Sequence, residues 1–301
     1  MNPETYVATG MKPWLEEARA AVLGVKYGWK LRGLSKRPLP KQAVLRQEKA
    51  NAGASRVCHI VGSGWSLAES IGSIPAGDYV VGYNLAALTG RKFDAYHMER
   101  IDERAPGVNE YYRNMIGASG QDRVYIKNLH DDRVLARVIE FHLAYGAMPY
   151  RTLNAGGYFS KGEEAALCRY LLDGGGSYLL QYRSTLMLLI VLYAAAGYEE
   201  IVLHGQDLSG PYFFDVAPFP LAEEMRPRER GILPAKPSPI SEGHAIDRPF
   251  RNEPRIVDAL PAMVEVLAAR GVSLSCATAN SPIARYCPVY AWPLAGPRGA
   301  A

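Results

Sequence analysis

From Leu186 to Ala196 the chain is apolar on nearly every helical face, between the polar Arg183-Ser184-Thr185 and Gly197-Tyr198-Glu199-Glu200. That run predicts a buried helix over Ser184–Ala196, capped by Ser184 or Thr185 and ended by Gly197 in a left-handed turn. Glu200–His204 follows as a short apolar strand and leads into Gly205-Gln206-Asp207. Helix, tight turn and strand make half of a parallel βαβ unit. In such sheets ligands sit beyond the carboxyl ends of the strands, where Gln206 and Asp207 fall.

The same alternation runs through most of the chain. Strands are predicted at Arg56–Val61, Asp78–Gly82, Phe93–Met98, Val124–Lys127 and Val272–Cys276. Helices are predicted at Ser66–Ile71, Asn109–Ile116, Asp131–Tyr145, Lys161–Leu172 and Pro254–Ala269. Strands separated by helices imply an α/β fold, Rossmann-like, with a doubly wound and mostly parallel sheet. Residues 1–52 read as a basic, amphipathic N-terminal helical arm and 53–301 as one nucleotide-binding domain, with a linker at Asn51–Ser55. Residues 209–254 break the pattern: they hold nine of the 21 prolines and little periodicity. Such a stretch in a compact domain is disordered or functional; its aromatic start (Pro211-Tyr212-Phe213-Phe214) and polar end (Ser241-Glu242-Gly243-His244) favour a lid.

Composition sharpens this only in places. At 48% apolar and 21% charged, the 301 residues are those of an ordinary globular protein. No apolar run approaches the roughly 20 residues that span a bilayer, and the opening residues lack a signal-peptide pattern. Cys58, Cys168, Cys276 and Cys287 have no metal-ligand spacing and read as buried free thiols in a reducing compartment. A cytoplasmic location is the expectation. Residues 1–50 hold ten Lys or Arg against four Glu, so the excess lies in the arm and the rest of the chain sums to −2. Residues 12–49, basic and aromatic-bearing, suit peripheral contact with the inner face of an anionic membrane; packing on the domain or on another subunit of a homo-oligomer fits equally. Nucleic acid is not an expected partner, because no basic stripe continues beyond the arm.

Candidate chemistry gathers after the strands. Gly62-Ser63-Gly64-Trp65-Ser66 follows the first strand and opens a helix, where glycines let backbone amides approach a phosphate or sugar. It lacks the third glycine of a dinucleotide fingerprint and the Lys-Ser/Thr of a P-loop. Asn84, after the second strand, suits a nucleotide contact or a helix cap. Glu99 and Asp102 could meet the same ligand or only solvate a loop. His244 is the best general-base candidate of the six histidines; His59 and His204 fall in strands and read as core. Asn280-Ser281 follows the last strand and suits a phosphate, a pyrimidine or the capping of the short helix Pro282–Tyr286. Arg183 suits an anion in the cleft or a structural carboxylate. No Asp-x-Asp motif appears, so no metal site is expected.

In their order along the chain these pieces resemble the bacterial lipooligosaccharide sialyltransferases. The resemblance runs over roughly residues 55–290. It rests on Gly62, Gly64, Ser66 and Leu67; on Asn84; on Arg183 before the long helix; on the Gly-Tyr-x-Glu-Ile-x-Leu-x-Gly-x-Asp run of Gly197–Asp207; on Gly243-His244; and on Asn280-Ser281. It implies inverting transfer of an ulosonic acid (sialic acid, Kdo or a relative) from a CMP-activated donor, with no cofactor and no essential metal. The acceptor would be a cell-surface glycan or its lipid-linked precursor, in lipopolysaccharide or capsule biosynthesis. His244 would then be the base. Gly62, Ser63, Gly64, Ser66, Asn84, Gln206, Asp207, Asn280 and Ser281 would hold the donor. Arg183 would lie near the sugar or acceptor, and Tyr212 would stabilise the departing phosphate. Leu208 or Ser209 and Ser241 stand where that family often has further tyrosines. Gly205-Gln206-Asp207-Leu208 with His244-Ala245 is closer to a sister group, the motility-accessory-factor and hydroxymethylpterin-pyrophosphokinase-like proteins. Two other functions therefore stay open, an ATP- and magnesium-dependent pyrophosphokinase and a non-catalytic nucleotide- or glycan-binding module.

Overall fold

The computed structural model describes residues 39–52, 55–98, 106–129, 147–216, 221–239 and 252–292. In chain order the described strands and α-helices are α1 (Lys41–Ala52), β1 (Val57–Val61), α2 (Leu67–Ser70), β2 (Tyr79–Tyr83), β3 (Ala95–Met98), α3 (Pro106–Ala118), β4 (Val124–Leu129), β5 (Met148–Asn154), α4 (Glu164–Asp173), β6 (Leu179–Gln181), α5 (Thr185–Ala196), β7 (Glu200–His204), α6 (Phe213–Val216), α7 (Ile256–Ala268) and β8 (Ser273–Cys276). The eight strands form one sheet in the order β6-β5-β4-β3-β2-β1-β7-β8. Every pairing between them is parallel, from Cys58↔Tyr79 and Cys58↔Ile201 at the centre to Leu203↔Cys276 at one edge.

Both faces of this sheet are covered, as an all-parallel sheet requires. Cys58 and Ile60 point into one apolar cluster with α1, α4, α5 and α7, while the alternate residue Val61 joins the other with Leu67, Tyr111, Met115 and Phe213. Helix α5 lies in the first cluster and is buried from Thr185 through Tyr193. Ser184 caps it, its Oγ accepting from the Met187 amide at 3.3 Å, and Gly197 ends it at φ 102°. The chain builds outward from β1 to β6, then α5 returns it beneath the sheet to β7 on the other side of β1. The carboxyl ends of β1 and β7 therefore flank the topological switch point, where ligand clefts open in doubly wound sheets.

Three expectations change. Strands β5 and β6 were not predicted: Pro149 and Arg151 interrupt the apolar pattern of one, and the other is three residues long at the sheet edge. The boundary expected at 52 falls inside the domain, because α1 is part of its core. Leu39 bridges Tyr150, and the fully buried Glu48 accepts hydrogen bonds from Tyr79 and Tyr125, each at 2.6 Å. The 39–49 part of the stretch expected to touch a membrane is thus half committed to the sheet. The rest of the arm, and the helix expected at Asp131–Tyr145, lie outside the described residues. No helix among the described residues is long and apolar enough to cross a membrane.

Candidate active site

A cleft of about 600 Å³ opens at the carboxyl ends of the strands beside the switch point. Its walls include Ser63 and Gly64 after β1, Asn84 after β2, Lys127 on β4, Arg183 after β6, and Gly205 to Tyr212 after β7. Among the described residues, three that are not glycine occupy the left-handed region: Asn84 (φ 52°), Arg183 (φ 55°) and Leu208 (φ 53°). All three line this cleft. Each such residue costs about 1–3 kcal/mol, persists only where its surroundings over-determine it, and is found most often at functional sites. Here the restraints are visible. The Tyr96 hydroxyl donates to the Asn84 carbonyl. The Arg183 guanidinium donates to the Pro254 carbonyl at 3.1 Å. Leu208 is fixed by the anchored Asp207 before it.

The Gly62-Ser63-Gly64 turn packs directly on Gly205-Gln206-Asp207. The Gly62 amide donates to the His204 carbonyl and the Gly64 amide to the Gly205 carbonyl, both at 2.8 Å. A Cβ on Gly62 would sit 2.7 Å from the Gly205 oxygen, and one on Gly64 would press on the Asp207 carboxylate. The glycines are thus required first by turn-on-turn packing. Asp207 braces the junction: its carboxylate accepts from the Ser66 amide (2.8 Å), the Ser66 hydroxyl (2.5 Å) and the Ser281 hydroxyl (2.7 Å). Burial pushes this carboxyl up from its ordinary pKa, and those hydrogen bonds oppose the shift. Gln206 is held in the same way, accepting from the Tyr83 hydroxyl.

Of the residues named from sequence, Ser63, Gly64, Asn84, Arg183, Gln206, Asp207 and Tyr212 line the cleft together. Gly62 sits one residue behind it. Ser66 and Ser281 do not line it; they are buried and bonded to Asp207. Asn280 does not line it either, and donates to Glu69 at 3.0 Å. His244, Glu99 and Asp102 lie outside the described residues. His59 and His204 are core residues, bonded to each other at 2.9 Å and to Asp78 and Ser70, with burial lowering both pKa values.

Sequence reasoning missed Lys127, Tyr83, Tyr112, Arg228 and Lys236, all of which line the cleft. Lys127 had a signal, a lysine closing an apolar strand. It is 6% exposed, and its ammonium donates to the Thr185 hydroxyl at 3.1 Å, at the first turn of α5. Ser184, Thr185 and Leu186 bring that helix N-terminus to the cleft wall, where the helix dipole favours an anion. Lys127, Arg183, Lys236 and Arg228 line the cleft, the last already paired with Asp215, and among the described residues its one lining carboxylate is that of Asp207, whose oxygens face Ser66 and Ser281. Tyr212 adds a hydroxyl donor; burial raises its pKa, so it stays protonated at neutral pH. The arrangement suits an anionic ligand that needs hydrogen-bond donors. Among the described residues no group of three or more His, Cys, Asp or Glu side chains could hold a metal ion.

No protein-family model matches the chain, and no curated protein matches it. Among solved structures it is similar to the monofunctional alpha-2,3-sialyltransferase Cst-I from Campylobacter jejuni, at 17% identity and a TM-score of 0.46 over 79% of this chain and 81% of that one. It is also similar to the C. jejuni sialyltransferase CstII in complex with CMP-3FNeuAc, at 15% identity and a TM-score of 0.45 over 79% and 87% of the two chains. The complex of CST-II with a trisaccharide acceptor and CMP gives 15% identity and a TM-score of 0.44 over 78% and 86%.

Proposed function

We propose that the protein is an inverting glycosyltransferase that moves an ulosonic acid from a CMP-activated donor to a glycan acceptor. The observation that carries the proposal is the convergence of strained Asn84, Arg183 and Leu208 on a cation-lined cleft at the switch point. CMP as the nucleotide, rather than another, comes from the motif resemblance. CMP is a good leaving group, so the protein has to orient the acceptor, accept its proton and stabilise negative charge. In this reading Lys127, Arg183 and the positive end of the α5 dipole meet the phosphate and carboxylate of the donor. The Tyr212 hydroxyl donates to the departing phosphate. His244, entering from the 209–254 lid, takes the proton of the acceptor hydroxyl as that oxygen attacks the anomeric carbon and the bond to phosphate breaks. The lid excludes water, whose attack on the donor is the competing reaction.

The charge on CMP is met by side chains in this scheme, and magnesium has no part. The pyrophosphokinase alternative is less well supported: among the described residues the only cleft carboxylate is Asp207, which is committed to two serines. The acceptor belongs to surface glycan assembly on the inner face of the membrane, with contact through the arm N-terminal to residue 39. Two variants test the scheme. Lys127→Met should weaken CMP binding about tenfold, a loss of about 1.4 kcal/mol, and leave the melting temperature within a few degrees. His244→Ala should abolish transfer and keep CMP binding. Full turnover in His244→Ala would remove the base from the scheme, and unchanged CMP affinity in Lys127→Met would remove the anion wall.

A further inference from the structure

We propose that Arg228 is a positioning residue that, paired with Asp215, joins the segments 212–215 and 234–236 at the cleft and holds Tyr212 in its place. The proposal rests on the reading of this cleft as the transfer site. Arg228 is held by a bidentate fork: its Nε donates to Asp215 Oδ1 and its Nη2 to Asp215 Oδ2, both at 2.7 Å. The pair is largely buried, with side chains 15% and 7% exposed. The same carboxylate closes the preceding turn, because Asp215 Oδ2 accepts from the Tyr212 amide at 2.9 Å. The third guanidinium nitrogen reaches the other way. Nη1 donates to the Lys236 carbonyl at 3.1 Å and to the Pro234 carbonyl.

One side chain therefore ties Tyr212–Asp215 to Pro234–Lys236. Its guanidinium carbon stands 6.0 Å from the centre of the Tyr212 ring, and that ring stacks on Phe214 at 5.3 Å. Tyr212 is further bridged to Gly64, and the Phe213 amide donates to the Ser63 carbonyl at 3.1 Å. Arg228, Tyr212, Pro234, Lys236 and Ser238 all line the cleft. A lysine at 228 would keep the charge and lose the fork, since its single ammonium cannot grip both carboxylate oxygens and two carbonyls in one plane. The geometry of the pair, beyond its charge, is what sets the Tyr212 hydroxyl.

The test uses full-length protein and four variants, Arg228→Lys, Arg228→Gln, Asp215→Asn and the Arg228→Gln/Asp215→Asn double. Steady-state transfer from CMP-sialic acid should show kcat reduced tenfold or more in each, with KM for the donor changed less than threefold. The double variant should be no slower than the worse single, as for groups acting as one unit. Wild-type kcat in Arg228→Lys, a rise in KM alone, or additive losses would overturn the proposal. Amide hydrogen exchange judges the pair independently of catalysis, even if the wild type neither binds CMP nor turns over, the result that would sink the transfer reading itself. Arg228→Gln should speed exchange at 212–215 and at 232–236 together and leave α5 unchanged. Faster exchange at one of these segments only, or at neither, would also overturn it.

Discussion

Replacing Gly62 by alanine separates two meanings of the glycine-rich turn. If the glycine lets a backbone amide approach phosphate, the loss falls on binding; if it lets two turns pack, the loss falls on stability. A Cβ at this position would lie 2.5 Å from Gln206 Nε2, 2.7 Å from the Gly205 oxygen and 2.8 Å from Gln206 Oε1. Neither neighbour is free to give way. The Gly205 carbonyl accepts from the Gly64 amide at 2.8 Å, and the Gln206 carboxamide lies between the Tyr83 hydroxyl and the Ile60 carbonyl. Overpacking of this kind costs about 1–3 kcal/mol. Restricting the unfolded chain returns about 0.4–1 kcal/mol, because Gly62 is not in the left-handed region. The net is about 1–2 kcal/mol, or roughly 2–8 °C of melting temperature for a domain of this size. Urea and thermal unfolding measure it, with CMP titrated by calorimetry at a temperature where the variant is folded. A less stable protein whose CMP affinity changes less than threefold is the expected result. An unshifted midpoint with tenfold weaker binding would refute the packing argument.

Two further predictions probe the scaffold. Glu48→Ala leaves the Tyr79 and Tyr125 hydroxyls without their acceptor and removes the carboxylate near Arg123. It should cost about 3 kcal/mol, and a change under about 0.5 kcal/mol in urea unfolding would show that α1 is not integral to the core. His97 is buried among Tyr125, Tyr150 and Tyr193, and desolvation lowers its pKa from 6.5 to about 3. The unfolded chain therefore binds the proton more readily. The stability that neutral His97 contributes is complete above pH 6.5 and is lost as pH falls from there toward 3, by about 1.4 kcal/mol per unit or about 2 kcal/mol at pH 5. His97→Gln should flatten the pH dependence of the urea midpoint by one proton; an unchanged slope would contradict the assignment.

The fold was legible where the pattern was strongest. The apolar run to Ala196, the Ser184 cap and Gly197 all stand where they were expected, and the six strands read from alternation all belong to the sheet. What escaped has physical causes. Strand β5 carries a proline and an arginine, β6 is too short to show a period, and α1 buries a glutamate that looks like a surface residue in sequence. The site was legible to the extent that it follows strand ends, so Ser63, Gly64, Asn84, Gln206 and Asp207 converge. Sequence could not separate cleft wall from brace. Ser66 and Ser281 have the residue type of a phosphate contact, and only the geometry shows their hydroxyls spent on Asp207. Left-handed Arg183 and Leu208 carry no sequence signal at all, since nothing but surrounding structure forces a non-glycine residue there.

In the proposed scheme the cleft holds CMP through the protein's own side chains. Calorimetric titration of the full-length protein with CMP, in the presence of EDTA and beside UMP and ADP, tests it most directly. Saturable, metal-independent binding of CMP in preference to the other two, weakened in Lys127→Met, is the expected result. Absence of CMP binding, or binding of an adenine nucleotide that appears only with magnesium, would contradict it.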